Sequence, residues 1–298
     1  MSFAALFEIH LEEKEGGPLN CNLGSLIIAT LLLAGCQSSP EVDASLKVYV
    51  FDCGRMNFDS VEAFGVSDHE TDVRDLIAPC YVVEHNKGRL LWEGGLASSL
   101  VDVAGWQEME GGWRMQLDST FAQQLSVIDL SVGDFDYVSF SHFHFDHVGI
   151  ANELEGAKLI IPRAEYDDAF ADVVTTPGFE PSLYDRFGGP NTIVIDGEYD
   201  VFGDARVRLL PAPGHTAGHQ VLFLDLAQTG PVVLSGDLHI LRVGQEGKRV
   251  PTFSADSAQT AESMDRIEAF LDSTGADLWL GHDVARYDQL LKPPQYNW

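Results

Sequence analysis

The residues from Ser141 to Gly149 read Ser-His-Phe-His-Phe-Asp-His-Val-Gly, which places three histidines and one aspartate within a single short segment. The whole chain has 10 histidines, so a solvated polar turn is a poor explanation for this density. Imidazole and carboxylate groups together suit Zn²⁺, Mn²⁺ or Fe, whereas a thiolate site would need cysteines. The segment follows the apolar run 136–140, and His142 and His144 point to the same side if the backbone is extended. These residues predict a metal site at the end of a strand.

The motif continues with Asp146 and His147, which enter a predicted turn and can therefore face a second ion rather than the first. Further candidate ligands occur downstream, each one shortly after an apolar run. A lone histidine or aspartate after a glycine is more often structural than ligating. The repeated order of strand, turn and ligand is nevertheless the pattern expected when strand ends present side chains at one rim. The downstream candidates are His215, Asp237 and His282, which follow the runs 207–210, 232–234 and 278–280.

The elements that must position these residues are mostly strands. From Leu46 onward, short apolar runs closed by glycine, aspartate or proline predict roughly ten strands. Helical patterns are fewer, and the clearest spans Ser257–Asp272, with apolar residues on one face. Such a mixture is typical of a layered α/β or α+β domain. The segments Ala104–Met115 and Thr175–Pro190 are predicted as loops. The predicted strands are 46–52, 80–84, 89–93, 137–141, 158–161, 192–195, 207–210, 221–224, 232–235 and 278–280, and the other helices are 120–125 and 163–171.

The order His-x-His-x-Asp-His, then His, then Asp, then His resembles the metallo-β-lactamase superfamily, and the resemblance extends from Leu46 nearly to the C-terminus. It implies an α/β (α+β) fold, the four-layer αββα sandwich, with two divalent metal ions at one edge. Zinc is the first expectation for those ions, with Fe, Mn and Co as alternatives. Carried over by motif, His142, His144 and His215 bind the first metal, Asp146, His147 and His282 bind the second, and Asp237 bridges both.

Within the superfamily, the chain looks most like the N-acyl-homoserine lactonases. Asp237 counts against the β-lactamases themselves, and His144 in place of glutamate counts against the flavo-diiron branch. The segments 50–54 and 213–219 also match the lactonase group. The resemblance implies a hydrolase in which a hydroxide bridging the two metals attacks a lactone, with Asp146 passing a proton to the leaving alkoxide. A phosphodiester, organophosphate or thioester hydrolase on the same site is the alternative, and the complete ligand set disfavours an inactive metal-binding protein.

Two positions depart from the family's pattern. Where the superfamily usually has an aspartate in an early strand-end motif, this chain has Glu93, which is longer by one methylene but can still orient a ligand histidine. Many lactonases place a tyrosine shortly after the bridging aspartate, where it contacts the substrate carbonyl, whereas this chain reads Asp237-Leu238-His239-Ile240. His239 is the candidate for that role if a turn brings it toward the metals. Of the remaining histidines, His219 is interpreted as structural or supporting, and His10, His69 and His85 as incidental.

Charge limits the possible partners. Lys and Arg number 18 and Asp and Glu number 46 in 298 residues, so the formal net charge is −28. This charge argues against electrostatic binding of nucleic acid and against a polybasic membrane patch. The expected partner is a small-molecule lactone or ester, and the oligomeric state is left open, with a homodimer among the options. Four apolar residues are candidates for an acyl-chain groove or, alternatively, for ordinary packing: Met56, Phe58, Val61 and Phe64.

The first 36 residues predict a signal and lipoprotein leader. The apolar stretch Leu23–Ala34 is too short to span a bilayer but suits the core of a signal peptide. It ends in Leu-Ala-Gly-Cys, which resembles a bacterial lipoprotein signal in which Cys36 is lipidated. The segment before Leu23 counts against this, because it has four glutamates and one lysine where a positive region is expected, and translation is expected to begin after Met1.

The resulting organisation is a leader over 1–36, a linker over 37–45 and a hydrolase domain over 46–298. We expect an exported protein, periplasmic or tethered to the membrane only through lipid at Cys36, with a cytoplasmic protein as the alternative. Cys53 and Cys80 lie beside apolar runs and are either two buried thiols or, in an oxidising compartment, a disulfide.

Overall fold

The computed structural model describes residues 45–154 and 156–298, which build two β-sheets with helices on their outer faces. The predicted leader, 1–36, and all of the predicted linker except Ser45 lie outside the described residues, so both stay predictions. The strands are β1 (Lys47–Phe58), β2 (Asp75–His85), β3 (Gly88–Trp92), β4 (Gln107–Met109), β5 (Trp113–Gln116), β6 (Tyr137–Ser139), β7 (Lys158–Pro162), β8 (Thr192–Ile195), β9 (Tyr199–Asp200), β10 (Val207–Pro211), β11 (Gln220–Leu226), β12 (Gly230–Leu234) and β13 (Asp277–Trp279). The helices are α1 (Phe121–Leu125), α2 (Phe145–Val148), α3 (Arg163–Ala169), α4 (Arg242–Glu246), α5 (Ser257–Thr274) and α6 (Val284–Gln289).

The strand order explains why the segments after several strands meet. The larger sheet runs β4-β5-β1-β2-β3-β6-β7-β8, and β3, β6, β7 and β8 are parallel neighbours. The smaller sheet runs β13-β12-β11-β10-β9, in which β12 and β13 are parallel. The carboxyl ends of parallel strands meet at one edge of a sheet, where ligands commonly bind. The segments after β3 and β6, and those after β12 and β13, are therefore neighbours.

Apolar side chains hold four layers together. Val48 of β1 packs between the two sheets, whereas the next residue, Tyr49, belongs to the cluster that contains Phe121 of α1, as the twofold period of a strand requires. On the far side, α5 covers the smaller sheet through Met264 and Ile267. The order helix, sheet, sheet, helix confirms the predicted αββα sandwich of the α/β (α+β) class.

All ten predicted strands and all three predicted helices overlap elements of the structure, but the loop prediction for Ala104–Met115 is wrong. Most of this segment is a hairpin formed by β4 and β5, and β5 pairs with the second half of β1. The hairpin turns at Gly111 and Gly112, whose φ angles of 98° and 78° cost glycine little. The short elements β9, α2, α4 and α6 were also missed, because none is long enough to display a clear hydrophobic period.

Cys53 and Cys80, whose state the sequence left open, form a buried disulfide between β1 and β2. The bond joins residues 27 apart in sequence, and constraining the unfolded chain in this way stabilises a fold by about 3.5 kcal/mol. None of the helices in the described part of the chain combines the length and apolar character needed to cross a bilayer.

Candidate metal centre

The seven predicted metal ligands come together at one edge of the sandwich, and each follows a strand. Residues 142–147 lie between β6 and the end of α2, in the larger sheet's half of the molecule. The other three follow strands of the smaller sheet, so both sheets contribute. Among the described residues, the clusters able to hold a metal are a first group of His142, His144, His215 and Asp237, and a second group of Asp146, His147 and His282.

The first group converges on a common point. The Nε2 atom of His142 lies 2.8 Å from His144 Nδ1 and 3.2 Å from His215 Nε2. His215 Nε2 is also 3.2 Å from His144 Nδ1. Asp237 Oδ2 lies 3.4 Å from His215 Nε2 and 3.9 Å from His142 Nε2. Ligand atoms around a tetrahedral ion with bonds of about 2.1 Å stand about 3.4 Å apart, so these four atoms suit one ion.

The second group uses the other oxygen of the same aspartate. Asp237 Oδ1 lies 2.8 Å from His282 Nε2 and 3.2 Å from His147 Nε2. Asp146 Oδ2 lies 3.7 Å from each of these two nitrogens. Asp237 thus presents one carboxylate oxygen to each group, which is the position that the sequence comparison with the family implied for it.

Unsatisfied polar atoms supply an independent test of whether a metal fits. His147 Nε2 and Asp237 Oδ1 are buried, and neither makes a hydrogen bond of acceptable geometry, although Asp237 Oδ1 lies close to His282 Nε2. Leaving a buried polar atom unpaired costs about 1–3 kcal/mol, and here two such atoms face each other across 3.2 Å. A divalent cation between the ligand atoms removes that cost. The donor set and its geometry therefore fit a metal that prefers nitrogen and oxygen ligands.

The ligand rings are oriented by contacts of their other nitrogen. His282 Nδ1 donates to the carbonyl oxygen of Ile77 at 2.6 Å, which leaves Nε2 free to bind a metal. His142 Nδ1 lies 2.9 Å from the Ser141 hydroxyl. Burial lowers the pKa of His142 well below its ordinary value, as it does for His215, so these rings favour the neutral form that ligates metals.

Glu93 holds His147 of the second group. Its Oε2 atom lies 3.1 Å from His147 Nδ1, and its carboxylate also accepts the backbone N–H of Ser141. Although burial lowers the pKa of His147, the carboxylates around it, first among them Glu93, outweigh this and raise the pKa well above the ordinary value. Glu93 has a φ of 66°, a left-handed conformation that is costly outside glycine and that the surrounding contacts maintain.

His219 holds the backbone of Asp237 through a hydrogen bond. Its Nδ1 atom donates to the carbonyl oxygen of Ala212 at 3.1 Å, and its Nε2 atom accepts the backbone N–H of Asp237 at 3.0 Å. Both bonds together define one neutral tautomer. Burial lowers the pKa of His219 to about 3, which keeps the ring in that state. The supporting role expected of His219 is consistent with these contacts.

His239 is the one candidate that the structure does not bring to the others. Asp237 lies in the short 3-10 turn 236–238, but His239 leaves it with an extended backbone, φ −139° and ψ 121°. Its side chain is buried outside the cavity described below, and its charged neighbours are Glu268 and Lys248. Burial lowers the pKa of His239 to about 4. The turn that a contact with a substrate carbonyl required is absent, so this geometry gives the prediction no support.

A cavity of about 430 Å³ opens over the ligand groups. His144, Asp146, Asp237 and His282 contribute to its lining, and most of its other walls are apolar. Of the four groove candidates, Met56, Phe58 and Phe64 line the cavity, whereas Val61 is packed in the core.

An aromatic wall closes one side of this cavity, and sequence reasoning identified only Phe58 of it. The ring of Trp113 stacks on Phe58 at a centroid distance of 5.6 Å and lies 5.6 Å from Phe145. Trp113 belongs to the hairpin that was predicted as a loop, and the Gly111-Gly112 pair was the signal that could have revealed it. Among the described residues, no lysine or arginine lines this cavity.

Sequence reasoning also missed Glu165, in the first turn of α3. It is a buried carboxylate beside the first group, and burial raises its pKa to about 7. Nothing in the local sequence distinguishes it from the other acidic residues of the chain.

Comparisons with known proteins agree with this picture. The family model of the metallo-β-lactamase superfamily matches residues 73–282. The N-acyl homoserine lactonase AttM of Azorhizobium caulinodans is 28% identical over 235 residues, which cover 74% of this chain and 88% of that protein. An N-acyl homoserine lactonase of a Bacillus species is 28% identical over 231 residues, covering 76% and 88%. The crystal structure of a mutant of Bacillus thuringiensis AiiA with N-decanoyl-L-homoserine bound at its active site superposes with a TM-score of 0.68 and 25% identity, over 84% of this chain and 98% of that one.

Proposed function

This chain belongs to the metallo-β-lactamase superfamily, and from that premise we propose that it opens lactones of the N-acyl-homoserine-lactone type with two divalent metal ions. It is a metal-dependent hydrolase acting on ester bonds, as its relatives are. The observation that carries the proposal is Asp237, which offers one oxygen to each ligand group and lines a largely apolar cavity.

Zinc is the proposed metal, with Fe, Mn and Co as alternatives for the same nitrogen and oxygen donors. His142, His144 and His215 would hold one ion, and Asp146, His147 and His282 would hold the other. Bound divalent ions supply a water of lowered pKa and a positive charge that offsets the charge developing on the attacked carbonyl oxygen.

The chain's own residues then handle the proton and the substrate. Asp146 lines the cavity beside both histidines of its group, where its carboxylate can receive a proton and deliver it to the alkoxide oxygen that leaves when the ring opens. The aromatic wall around Trp113 takes the acyl chain and excludes water from it.

Charge in the cavity favours a neutral lactone over a phosphodiester. Three carboxylates line it, those of Asp59, Asp146 and Asp237, and no cationic side chain among the described residues does so. An anionic phosphodiester needs cationic partners beyond the metals, whereas a lactone carries no charge. The charges that line the cavity therefore support a lactone as the substrate within this family.

A substrate panel tests the proposal. Purified, zinc-loaded protein is given acyl-homoserine lactones, simple lactones, a phosphodiester and a thioester. We expect the acyl-homoserine lactones to be opened with the highest kcat/KM. The control is Asp204→Asn, a carboxylate paired with His85 outside the cavity, which should leave the rates unchanged. Cleavage of the phosphodiester or thioester without opening of any lactone would overturn the proposal.

We also propose that the hydrolase domain works outside the cytoplasm. The Leu-Ala-Gly-Cys motif ending at Cys36 supports export with a lipid anchor, and the Cys53–Cys80 disulfide is typical of an oxidising compartment. The membrane would then be a partner only through lipid at Cys36.

A further inference from the structure

Glu165 is a buried carboxylate for which the proposed reaction has no use. Its side chain is 1% exposed and accepts three hydrogen bonds. Oε1 accepts the backbone N–H of Phe143 at 2.9 Å. Oε2 accepts the Thr216 hydroxyl at 2.7 Å and the backbone N–H of Gly218 at 2.9 Å. Among the described residues, no cationic side chain offsets the burial of this carboxylate, so these three donors are its stabilising contacts.

All three donors lie in the two loops that carry the histidines of the first group. Phe143 stands between His142 and His144, and Thr216 directly follows His215. The first loop follows β6 of the larger sheet and the second follows β10 of the smaller sheet. One carboxylate therefore connects ligand loops that come from different sheets.

The packing of α3 against the second loop is too close for a larger residue at position 218. A Cβ atom added to Gly218 would stand 2.3 Å from the backbone nitrogen of Glu165 and 2.5 Å from its Cβ. The absence of a side chain there lets both oxygens of Glu165 reach the loops. The contact thus depends on residues from three separate segments.

We propose that Glu165 is a positioning residue that sets the spacing of His142, His144 and His215 for their metal ion. The inference rests on the proposed function, since it assigns a role within the same dimetal site. Glu93 supplies the comparison, because its carboxylate contacts the His147 ring of the second group and, in the first loop, accepts the backbone N–H of Ser141. We therefore expect Glu165 to affect mainly the first ion and Glu93 mainly the second.

The substitution Glu165→Gln tests this with little change in shape. An amide has one oxygen and one NH2 group, and the NH2 group must face a donor. If it faces Phe143, that N–H loses its acceptor, and if it faces the other way, the N–H of Gly218 does. In either orientation one backbone N–H loses its acceptor and the connection between the loops is weakened, so we expect the spacing of the three histidines to relax.

Metal-free protein is titrated with Zn²⁺ by calorimetry in a competing buffer, and wild type should show two binding steps. Glu165→Gln should weaken one step by about 10–100-fold, and the matched variant Glu93→Gln should weaken the other step by a similar factor. Thr216→Val, which removes only the hydroxyl donor, should weaken the same step as Glu165→Gln by a smaller factor.

Amide hydrogen exchange of the metal-free protein supplies a second readout that involves no activity. Exchange at Phe143 or Gly218 should be faster in Glu165→Gln and unchanged in Glu93→Gln.

Wild-type affinity at both steps in Glu165→Gln, or a loss at the same step as in Glu93→Gln, would overturn the inference. If Glu165→Gln does not fold, Thr216→Val decides: an unchanged affinity for both ions overturns the inference. Failure of the proposed function would look different. A wild type that binds two ions but opens no lactone refutes the substrate and leaves the role of Glu165 standing.

Discussion

The aromatic wall of the cavity predicts how the rate depends on the acyl chain of the substrate. Trp113 lies between Phe58 and Phe145 and lines the cavity over the ligand groups. An acyl chain that leaves the lactone ring along this wall loses its contact with water. We expect Trp113→Ala to reduce the gain in kcat/KM that each added methylene gives.

The size of the effect follows from the burial of methylenes. Fully burying one CH2 contributes about 0.8 kcal/mol, which corresponds to about a fourfold increase in kcat/KM per methylene. When the indole is removed, Phe58 still covers one side of the acyl chain. Roughly half of the burial of each methylene is then retained. About 0.4 kcal/mol, or a twofold gain per methylene, is then expected for Trp113→Ala.

The assay measures kcat/KM over a homologous series of acyl-homoserine lactones, with zinc content determined for each variant. Trp106→Ala is the matched control, because Trp106 precedes the same hairpin, lies against Arg114 at 5.3 Å and is absent from the cavity lining. It should keep the steep wild-type slope. Equal slopes for Trp113→Ala and wild type, or a wild-type series with no dependence on chain length, would refute the reasoning.

Three other changes test separate parts of the site and its location. Asp237→Asn should lose at least one of two zinc equivalents by elemental analysis, together with most activity, because its amide offers one oxygen; a wild-type content below one equivalent would contradict the two-ion site. His239→Ala should change kcat/KM by less than about twofold relative to wild type. A loss of about tenfold or more with unchanged metal content would instead indicate that His239 contacts the substrate. Because burial lowers the pKa of His239 to about 4 from 6.5, its neutral form stabilises the fold above pH 6.5 and that contribution is lost as the pH falls toward 4. Denaturant titrations at several pH values should therefore show that the free energy of unfolding falls less steeply between pH 6.5 and pH 4 in His239→Ala than in wild type. When cells of the native host are fractionated, wild type should be found with the membranes and be released by detergent, whereas Cys36→Ala should not be found with the membranes. Wild type that stays in the cytoplasm with residues 1–35 attached would contradict export.

The ligands could be predicted from the sequence because their residue types are rare and their order follows successive strand ends. Asp237 illustrates this, since a glycine and an apolar run mark its position before any coordinates are known. Glu165 could not be predicted in the same way. It is one of 46 acidic residues, and its role arises only because α3 packs against Gly218, a contact between distant segments. The role of His239 could not be derived from the sequence for a local reason, since the choice between a turn and an extended backbone depends on one pair of dihedral angles.

The origin of the ligands in both sheets has a consequence for the survival of the protein. Residues 142–147 belong to the half of the sandwich that contains the larger sheet, and His215, Asp237 and His282 belong to the other half. Ions bound between these ligands would link the two halves. A ligand that binds only the folded chain adds about 2.7 kcal/mol of stability at a free concentration 100 times its Kd. If the proposed ions bind, we expect metal-free protein to open more often between the two sheets and to be degraded sooner by proteases. The abundance of the protein, and not only its rate, would then depend on the metal supply of its surroundings.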